Sequence, residues 1–282
     1  MNIGELLART AHSLENEGIV TARLDAEVLL SRYLKINRTE LYTRKDKTLS
    51  ADALNGFAHW VERRLRREPV AYIVGSKEFW SLTFDVTTAV LIPRPDTEII
   101  IEEVLAEAKN CPEACRILEI GTGSGAIGIT LACELRDAFL VATDCSPAAV
   151  QIADRNARRL GVRGRIAFLV GDMFQPVSGR FDFIVSNPPY IADAEFRNLP
   201  VDVAGYEPEM ALRAPGDGTA FHGELITGAR YLLKKGGWLF MEIGNSQKAH
   251  VEQLFWESNQ YDSIDFRKNY SGIDRVAKGR KC

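Results

Sequence analysis

The chain has 282 residues, 46% hydrophobic and 26% charged, with a formal net charge of −3. This is an ordinary globular composition, with room for one large domain or two modest ones. No apolar run reaches the roughly 18–20 residues of a membrane span, no secretory signal is expected from MNIGELLART, and the charge carries no footprint for duplex DNA or long RNA. The cytoplasm is therefore the expected compartment.

The first seventy residues predict helices. Ile3, Leu6, Leu7 and Ala11 recur at helical spacing, as do Leu24, Val28, Leu29 and Tyr33. Ser50 is a candidate cap for a third helix through Leu54, Phe57, Trp60, Val61 and Leu65, which Pro69 stops. Arg63, Arg64, Arg66 and Arg67 read as the solvated last turn of that helix, complementing its dipole. The stretch from Tyr72 to Val74, with Phe79 to Phe84 and Val86, is rich in aromatic and β-branched residues and contains a Gly75-Ser76 turn. It predicts a β-hairpin joining two domains.

From Pro95 onward, strands and helices alternate. Strand-like runs fall at 116–120, 139–143, 166–170 and 181–186, with helices at 124–134 and 146–160. A longer irregular segment follows, then a helix at 219–234, a strand at 237–242, a helix at 246–257 and strands at 261–267 and 274–279. The pattern predicts an α/β fold with a mainly parallel, seven-stranded Rossmann-like sheet, behind a small N-terminal helical bundle. The expected division is 1–72, 73–92 and 93–282. Cys111, Cys115, Cys133, Cys145 and Cys282 are an odd, scattered set that argues against a disulfide framework. The four histidines are far apart in sequence, so no metal is expected.

The run Glu119-Ile120-Gly121-Thr122-Gly123-Ser124-Gly125-Ala126 follows a predicted strand and opens a predicted helix. Glycines there admit unusual dihedrals and let a ligand approach the main chain. The run fits a dinucleotide fingerprint, and Asp144 lies where an acidic ribose partner belongs. Both NAD and S-adenosylmethionine contain adenosine, so Asp144 does not separate them. Glu119 tilts the choice, because a carboxylate before the glycines attracts the ammonium of a methionine moiety and disfavours a pyrophosphate. Asp172 ends the third strand of the series, where it suits an adenine amino group, with Met173 or Phe174 over the ring. All these residues fall at the carboxyl ends of strands, where ligands of open parallel sheets bind.

The strand at 181–186 ends in Asn187-Pro188-Pro189-Tyr190. A planar NH2 group is a poor nucleophile because its lone pair is delocalised. Acceptors that take both of its N–H groups fix the nitrogen and push electron density onto it. Asn187 offers a side-chain carbonyl, and Pro188 a backbone carbonyl without a competing N–H. Tyr190 offers a flat face, and the prolines hold these groups rigid.

This block resembles the amino-methyltransferase signature. Together with Leu91-Ile92-Pro93-Arg94-Pro95-Asp96-Thr97-Glu98, the glycine loop, Met241-Glu242-Ile243-Gly244 and Asp274-Arg275-Val276, it resembles the PrmC/HemK family of protein-glutamine methyltransferases over essentially the whole chain. The resemblance implies methylation, from S-adenosylmethionine, of the glutamine in the Gly-Gly-Gln loop of class 1 peptide-chain release factors. It implies that Asn187 and Pro188 bind the glutamine amide while Pro189 and Tyr190 shape the pocket. It also implies that Gly121, Thr122, Gly123, Ser124, Gly125, Asp144, Asp172 and Met173 bind the cofactor, and that residues 1–72 dock the substrate. Some members carry an aromatic residue in place of Met173, and 211–218 departs from the family's glycine-rich pattern. The expected protein is a monomer with no membrane or stable nucleic-acid partner. The alternative substrate is an exocyclic amino group of a DNA or RNA base, for which the same Asn-Pro-Pro-Tyr chemistry serves.

Overall fold

A computed structural model describes residues 1–111 and 114–282. The chain divides into two compact units, Met1–Ser76 with Pro200–Tyr206, and Lys77–Leu199 with Glu207–Cys282. No helix among the described residues is long and apolar enough to cross a membrane.

The first unit holds helices α1 (Ile3–Asn16), α2 (Ala22–Leu34), α3 (Arg38–Thr43), α4 (Ala51–Leu65) and α5 (Val70–Val74). Asn2 and Glu5 form a capping box on α1, and the Ser50 hydroxyl accepts the Ala53 N–H at the start of α4, as its sequence position predicted. The apolar faces meet in one core that includes Leu14, Leu29, Leu30, Leu41 and Phe57. Each such side chain, fully buried, contributes roughly 1.5–3 kcal/mol.

One expectation fails here and another holds only in part. Tyr72 to Val74 belongs to the short helix α5, not to a strand: Pro69 sits at its N-cap, Gly75 ends it at φ 79°, and Tyr72 and Ile73 are buried. Burial outweighs the weak β-preference of so short a run. The arginine cluster is only partly a solvated turn: Arg66 is exposed and Arg63 and Arg67 are half-buried. Arg64 is buried, its Nε 2.7 Å from Asp25 Oδ2, and Arg63 clasps Glu68 with Nε 2.8 Å from Oε2. A desolvated guanidinium needs such a partner.

A hairpin follows, β1 (Ser76–Phe79) and β2 (Leu82–Asp85), which belongs to the second unit from Lys77 onward. Phe79 and Phe84 pack into the core of the large sheet. Then come α6 (Glu98–Ala108), β3 (Arg116–Ile120), α7 (Ala126–Glu134), β4 (Phe139–Asp144), α8 (Pro147–Arg159), β5 (Ile166–Val170) and β6 (Phe181–Ser186). The chain continues through α9 (Asp193–Phe196), α10 (Val201–Ala204, in the first unit), α11 (Ala220–Leu232), β7 (Leu233–Glu242), α12 (Lys248–Ser258), β8 (Tyr261–Lys268) and β9 (Asp274–Lys281).

The strands make a seven-stranded sheet in the order β5-β4-β3-β6-β7-β9-β8, parallel except for β9, which runs antiparallel to both neighbours. Side chains alternate between its faces. Ile117, Leu140, Phe183 and Phe240 point to the layer of α6, α7 and α8, while Leu118, Val141, Ile184 and Leu239 point to that of α11 and α12. Order reverses between β3 and β6, so the crevice at the carboxyl ends of β3, β4, β5 and β6 is where a ligand belongs.

Candidate active site

A cavity of about 420 Å³ opens at those strand ends. Glu119, Gly121, Thr122, Gly123, Ser124, Asp144, Asp172, Met173, Asn187, Pro188 and Pro189 all line it. Of the residues the sequence nominated, Gly125 and Tyr190 do not. Gly125 caps α7 at φ 83°, and a Cβ there would sit 2.5 Å from Ile129 Cδ1, so its glycine serves helix packing. Tyr190 faces inward, its hydroxyl donating to Glu242 Oε1 at 2.9 Å. Phe174 turns away from the cavity and packs on α11, where a Cβ at Gly228 would strike its ring.

The glycine loop is fixed by β4. The N–H groups of Gly121 and Thr122 both donate to Thr143 O at 2.9 Å. Gly121 (φ 73°) and Gly123 (φ 55°) have nothing within 4 Å of where a Cβ would stand, which leaves bare main chain beside the cavity. Asp144 closes the loop from the next strand end: Oδ2 accepts from Gly123 N at 2.8 Å and Oδ1 from Ser146 N at 2.9 Å. Each carboxylate oxygen keeps acceptor capacity. Asn156, on α8, ties the loop to the hairpin, with Nδ2 2.9 Å from Ser124 O and 3.0 Å from Asp85 O. No motif marks Asn156, and only the fold brings it there.

Glu119 is 1% exposed. Its Oε2 accepts from the Thr122 hydroxyl at 2.6 Å, but Oε1 has no partner among the described residues. Burial pushes the carboxyl up to about 7, against the Thr122 hydroxyl and the Gly128 N–H, with Asp144 adding repulsion. A buried carboxylate oxygen left unpaired beside a cavity is a place for a cationic donor.

On the opposite wall, the Ser186 hydroxyl donates to Ile120 O at 2.9 Å and binds the end of β6 to the end of β3. Asn187 follows, and its Nδ2 donates to Thr97 Oγ1 at 3.1 Å. Among the described residues no hydrogen bond reaches Asn187 Oδ1 or Pro188 O. Thr97 donates in turn to Glu242 Oε2 at 2.6 Å. Glu242 is buried; desolvation raises its carboxyl, opposed by the Thr97 and Tyr190 hydroxyls and by Arg275. Burial and then Glu242 push the Tyr190 phenol up, so it remains a donor. Gln247 steadies the turn, accepting from Gly244 N and donating to Tyr190 O, both at 2.8 Å.

The cavity wall is completed by Arg94, Pro208, Met210 and Arg213. Glu207, 1% exposed at its side chain, accepts from Ile92 N at 3.1 Å and from the Arg94 guanidinium, which joins the arginine-proline block to the segment after Tyr206. Thr97, Glu207, Glu242 and Gln247 carry much of this framework. Thr97 and Glu242 lie inside the motifs quoted above, but their contacts join positions 145 residues apart and are invisible in the chain.

The site thus offers two carbonyl acceptors for a planar NH2 opposite an acid-flanked glycine loop. Among the described residues, no group of three His, Cys, Asp or Glu side chains is placed to hold a metal ion. A family model described as the PrmC N-terminal domain matches residues 5–75, and one described as the methyltransferase small domain matches residues 95–201. The chain is 42% identical to a release factor glutamine methyltransferase of Geobacter sulfurreducens, over 99% of its own length and 96% of that protein's. It is 40% identical to another from Moorella thermoacetica, over 98% and 97%. A methyltransferase from Pyrococcus furiosus shares the fold, with a TM-score of 0.53 and 20% identity over 79% of this chain and 98% of that one. By its sequence along nearly its full length, the chain belongs to the family of release factor glutamine methyltransferases.

Proposed function

We propose that the protein transfers a methyl group from S-adenosylmethionine to the side-chain amide nitrogen of the glutamine in the Gly-Gly-Gln motif of class 1 release factors. The observation that carries this is the convergence, on one cavity, of the Asn187 and Pro188 carbonyls with the Glu119 and Asp144 carboxylates.

The residues present fit the cofactor. Glu119 Oε1, buried and unpaired, suits the ammonium of its methionine part. Asp144 would accept the ribose hydroxyls, Asp172 would take the adenine amino group and Met173 would cover the ring, filling space without stacking. Gly121 and Gly123 would admit the chain of the ligand against bare backbone, and Thr122 and Ser124 would lie in the loop beside it. When bound, the cofactor supplies an electrophilic methyl group on a sulfonium centre.

The rest of the chemistry belongs to the protein. Asn187 Oδ1 and Pro188 O accept the two N–H groups of the glutamine amide and fix its nitrogen. As positive charge develops on that nitrogen, the same two oxygens stabilise it without reorganising. Pro189 stiffens the turn, and Tyr190 anchors it through Glu242. The N-protonated amide that methyl transfer leaves is a strong acid, so its surplus proton passes to water once the methyl group has moved. No strong base is required, so positioning is the principal contribution. Residues 1–72 serve to dock the release factor.

The test is methyl transfer from labelled S-adenosylmethionine to a purified bacterial release factor, beside a factor whose Gly-Gly-Gln glutamine is changed to alanine. Label in the first alone is the expected result. Label in neither, with cofactor binding intact, refutes the substrate and turns attention to amino groups of nucleic acid.

A further inference from the structure

A carboxamide can sit in a pocket in either of two orientations that exchange its oxygen and nitrogen. For Asn187 the two differ in chemistry. One turns an acceptor to the cavity, and the other turns a donor. The choice is made by what its buried end meets.

That end meets Thr97 Oγ1, 3.1 Å from Asn187 Nδ2. A threonine hydroxyl has one proton and two lone pairs. Here the proton is committed to Glu242 Oε2, 2.6 Å away. Thr97 has only lone pairs left for Asn187, so Asn187 presents its NH2 to Thr97 and its Oδ1 to the cavity. Glu242 is held in place by a second hydroxyl, that of Tyr190, on Oε1. Thr97 is 4% exposed and Glu242 1%. Little water reaches either group to substitute for a missing partner, which makes the pattern of donors and acceptors all-or-none. The 3-10 turn Pro95–Thr97 that carries the hydroxyl is itself tethered, because Asn269 Nδ2 donates to Asp96 Oδ2 at 3.0 Å.

We infer that Glu242 and Thr97 form a polarity relay that sets Asn187 with its carbonyl toward the substrate, and so determine that the site takes an NH2 group. They are positioning residues, since both act through Asn187. The inference rests on the reading of Asn187 as an acceptor of the glutamine amide. Without Glu242 to take its proton, the Thr97 hydroxyl is free to donate to Asn187 Oδ1. The carboxamide then turns its own NH2 to the cavity, donor against donor.

The relay is tested in two independent ways. In ligand-free protein carrying 15N-labelled asparagine, the Asn187 side-chain amide protons should show a nuclear Overhauser effect to the Thr97 methyl group and slow exchange. Absence of both overturns the orientation. Thr97→Val keeps the shape and removes the hydroxyl. It should lower kcat on the release factor by about 100-fold, the scale of losing one preorganised polar contact, with S-adenosylmethionine affinity unchanged. Thr97→Ser should recover most of that turnover. If Thr97→Val does not fold, Thr97→Ala replaces it, because it removes the same hydroxyl, and turnover should again fall. Turnover within about threefold of wild type in a folded Thr97→Val or Thr97→Ala protein overturns the relay. If wild type shows the Overhauser effect but methylates no release factor, the orientation stands and the proposed substrate falls.

Discussion

At position 119 a carboxylate sits where burial pushes it up to about 7 from an ordinary value near 4.5. An ammonium binds the ionised form, so the proton on Glu119 must leave when the cofactor binds below that value. The affinity for S-adenosylmethionine should therefore fall as pH drops below about 7, approaching tenfold per unit. The ligand-free protein should respond in the opposite sense. Its folded state holds this proton more tightly than the unfolded chain does, so the Glu119 contribution to stability shrinks as pH rises from about 4.5 through 7. Calorimetric titrations at several pH values check both, and a flat affinity profile in Glu119→Gln assigns the effect. The two walls of the cavity should also separate by mutation. Asp144→Ala is expected to weaken cofactor binding first, since it removes the acceptor of Gly123 N as well as the proposed ribose partner. Asn187→Ala should lower turnover about 100-fold or more while leaving cofactor affinity largely intact. Parallel loss of binding in Asn187→Ala counts against that division of labour.

Between β6 and α11 the chain relies on turns more than on regular elements. Gly218 is the tightest of them. Its φ is 88°, and a Cβ there would stand 2.3 Å from Tyr190 O and 2.6 Å from Gln247 Nε2. Backbone carbonyls do not step aside as a flexible side chain does. Gly218→Ala should therefore cost about 1–3 kcal/mol of stability, and displace the turn after Pro189, lowering turnover more than cofactor affinity. Thermal unfolding and paired kinetics measure these effects. A variant with unchanged melting and turnover shows that the turn tolerates the methyl group. The departure of 211–218 from the glycine-rich pattern of the family still leaves a glycine at each strained position, Gly216 and Gly218, both at positive φ. Elements of the sheet were easier to read in the sequence, because Ile117, Leu118, Val141 and Ile184 make continuous apolar runs where both faces are covered. Helix α5 was hidden, since five residues of Val, Ala, Tyr and Ile carry no helical period of their own.

The division into units bears on how the whole molecule is tested. The first unit takes in Pro200–Tyr206 in addition to the N-terminal helices, and within it Arg64 Nη2 lies 3.6 Å from Asp202. The second unit takes in the hairpin, whose Phe79 and Phe84 are 2% and 0% exposed in its core. A chain cut just before Pro93 therefore loses part of the sheet's own core, while one cut before Lys77 keeps it. The chain beginning at Lys77 should bind S-adenosylmethionine with nearly wild-type affinity and methylate the full-length release factor with a KM raised at least about tenfold, as expected when uniform binding contacts are removed. Methylation of the full-length factor at wild-type efficiency by this shorter chain rules out docking by the N-terminal unit.

Local chemistry determined much of this protein from its sequence alone. Strand and helix periods set the order of the α/β elements, and the glycine loop with Asp144 marked the cavity proposed for an adenosine group. Asn187-Pro188-Pro189 supplied the acceptors proposed for a planar nitrogen. These signals survive in one dimension because each depends on neighbours within a few residues, or on a spacing that the βα unit fixes. The tertiary structure decided what depends on distant partners. It sent Tyr190 inward to Glu242 and Phe174 away to Gly228, and it buried Arg64 on Asp25. It also brought Thr97 and Glu242 together behind Asn187. A buried polar group must find its partner wherever the fold supplies one, and sequence spacing carries no record of that choice.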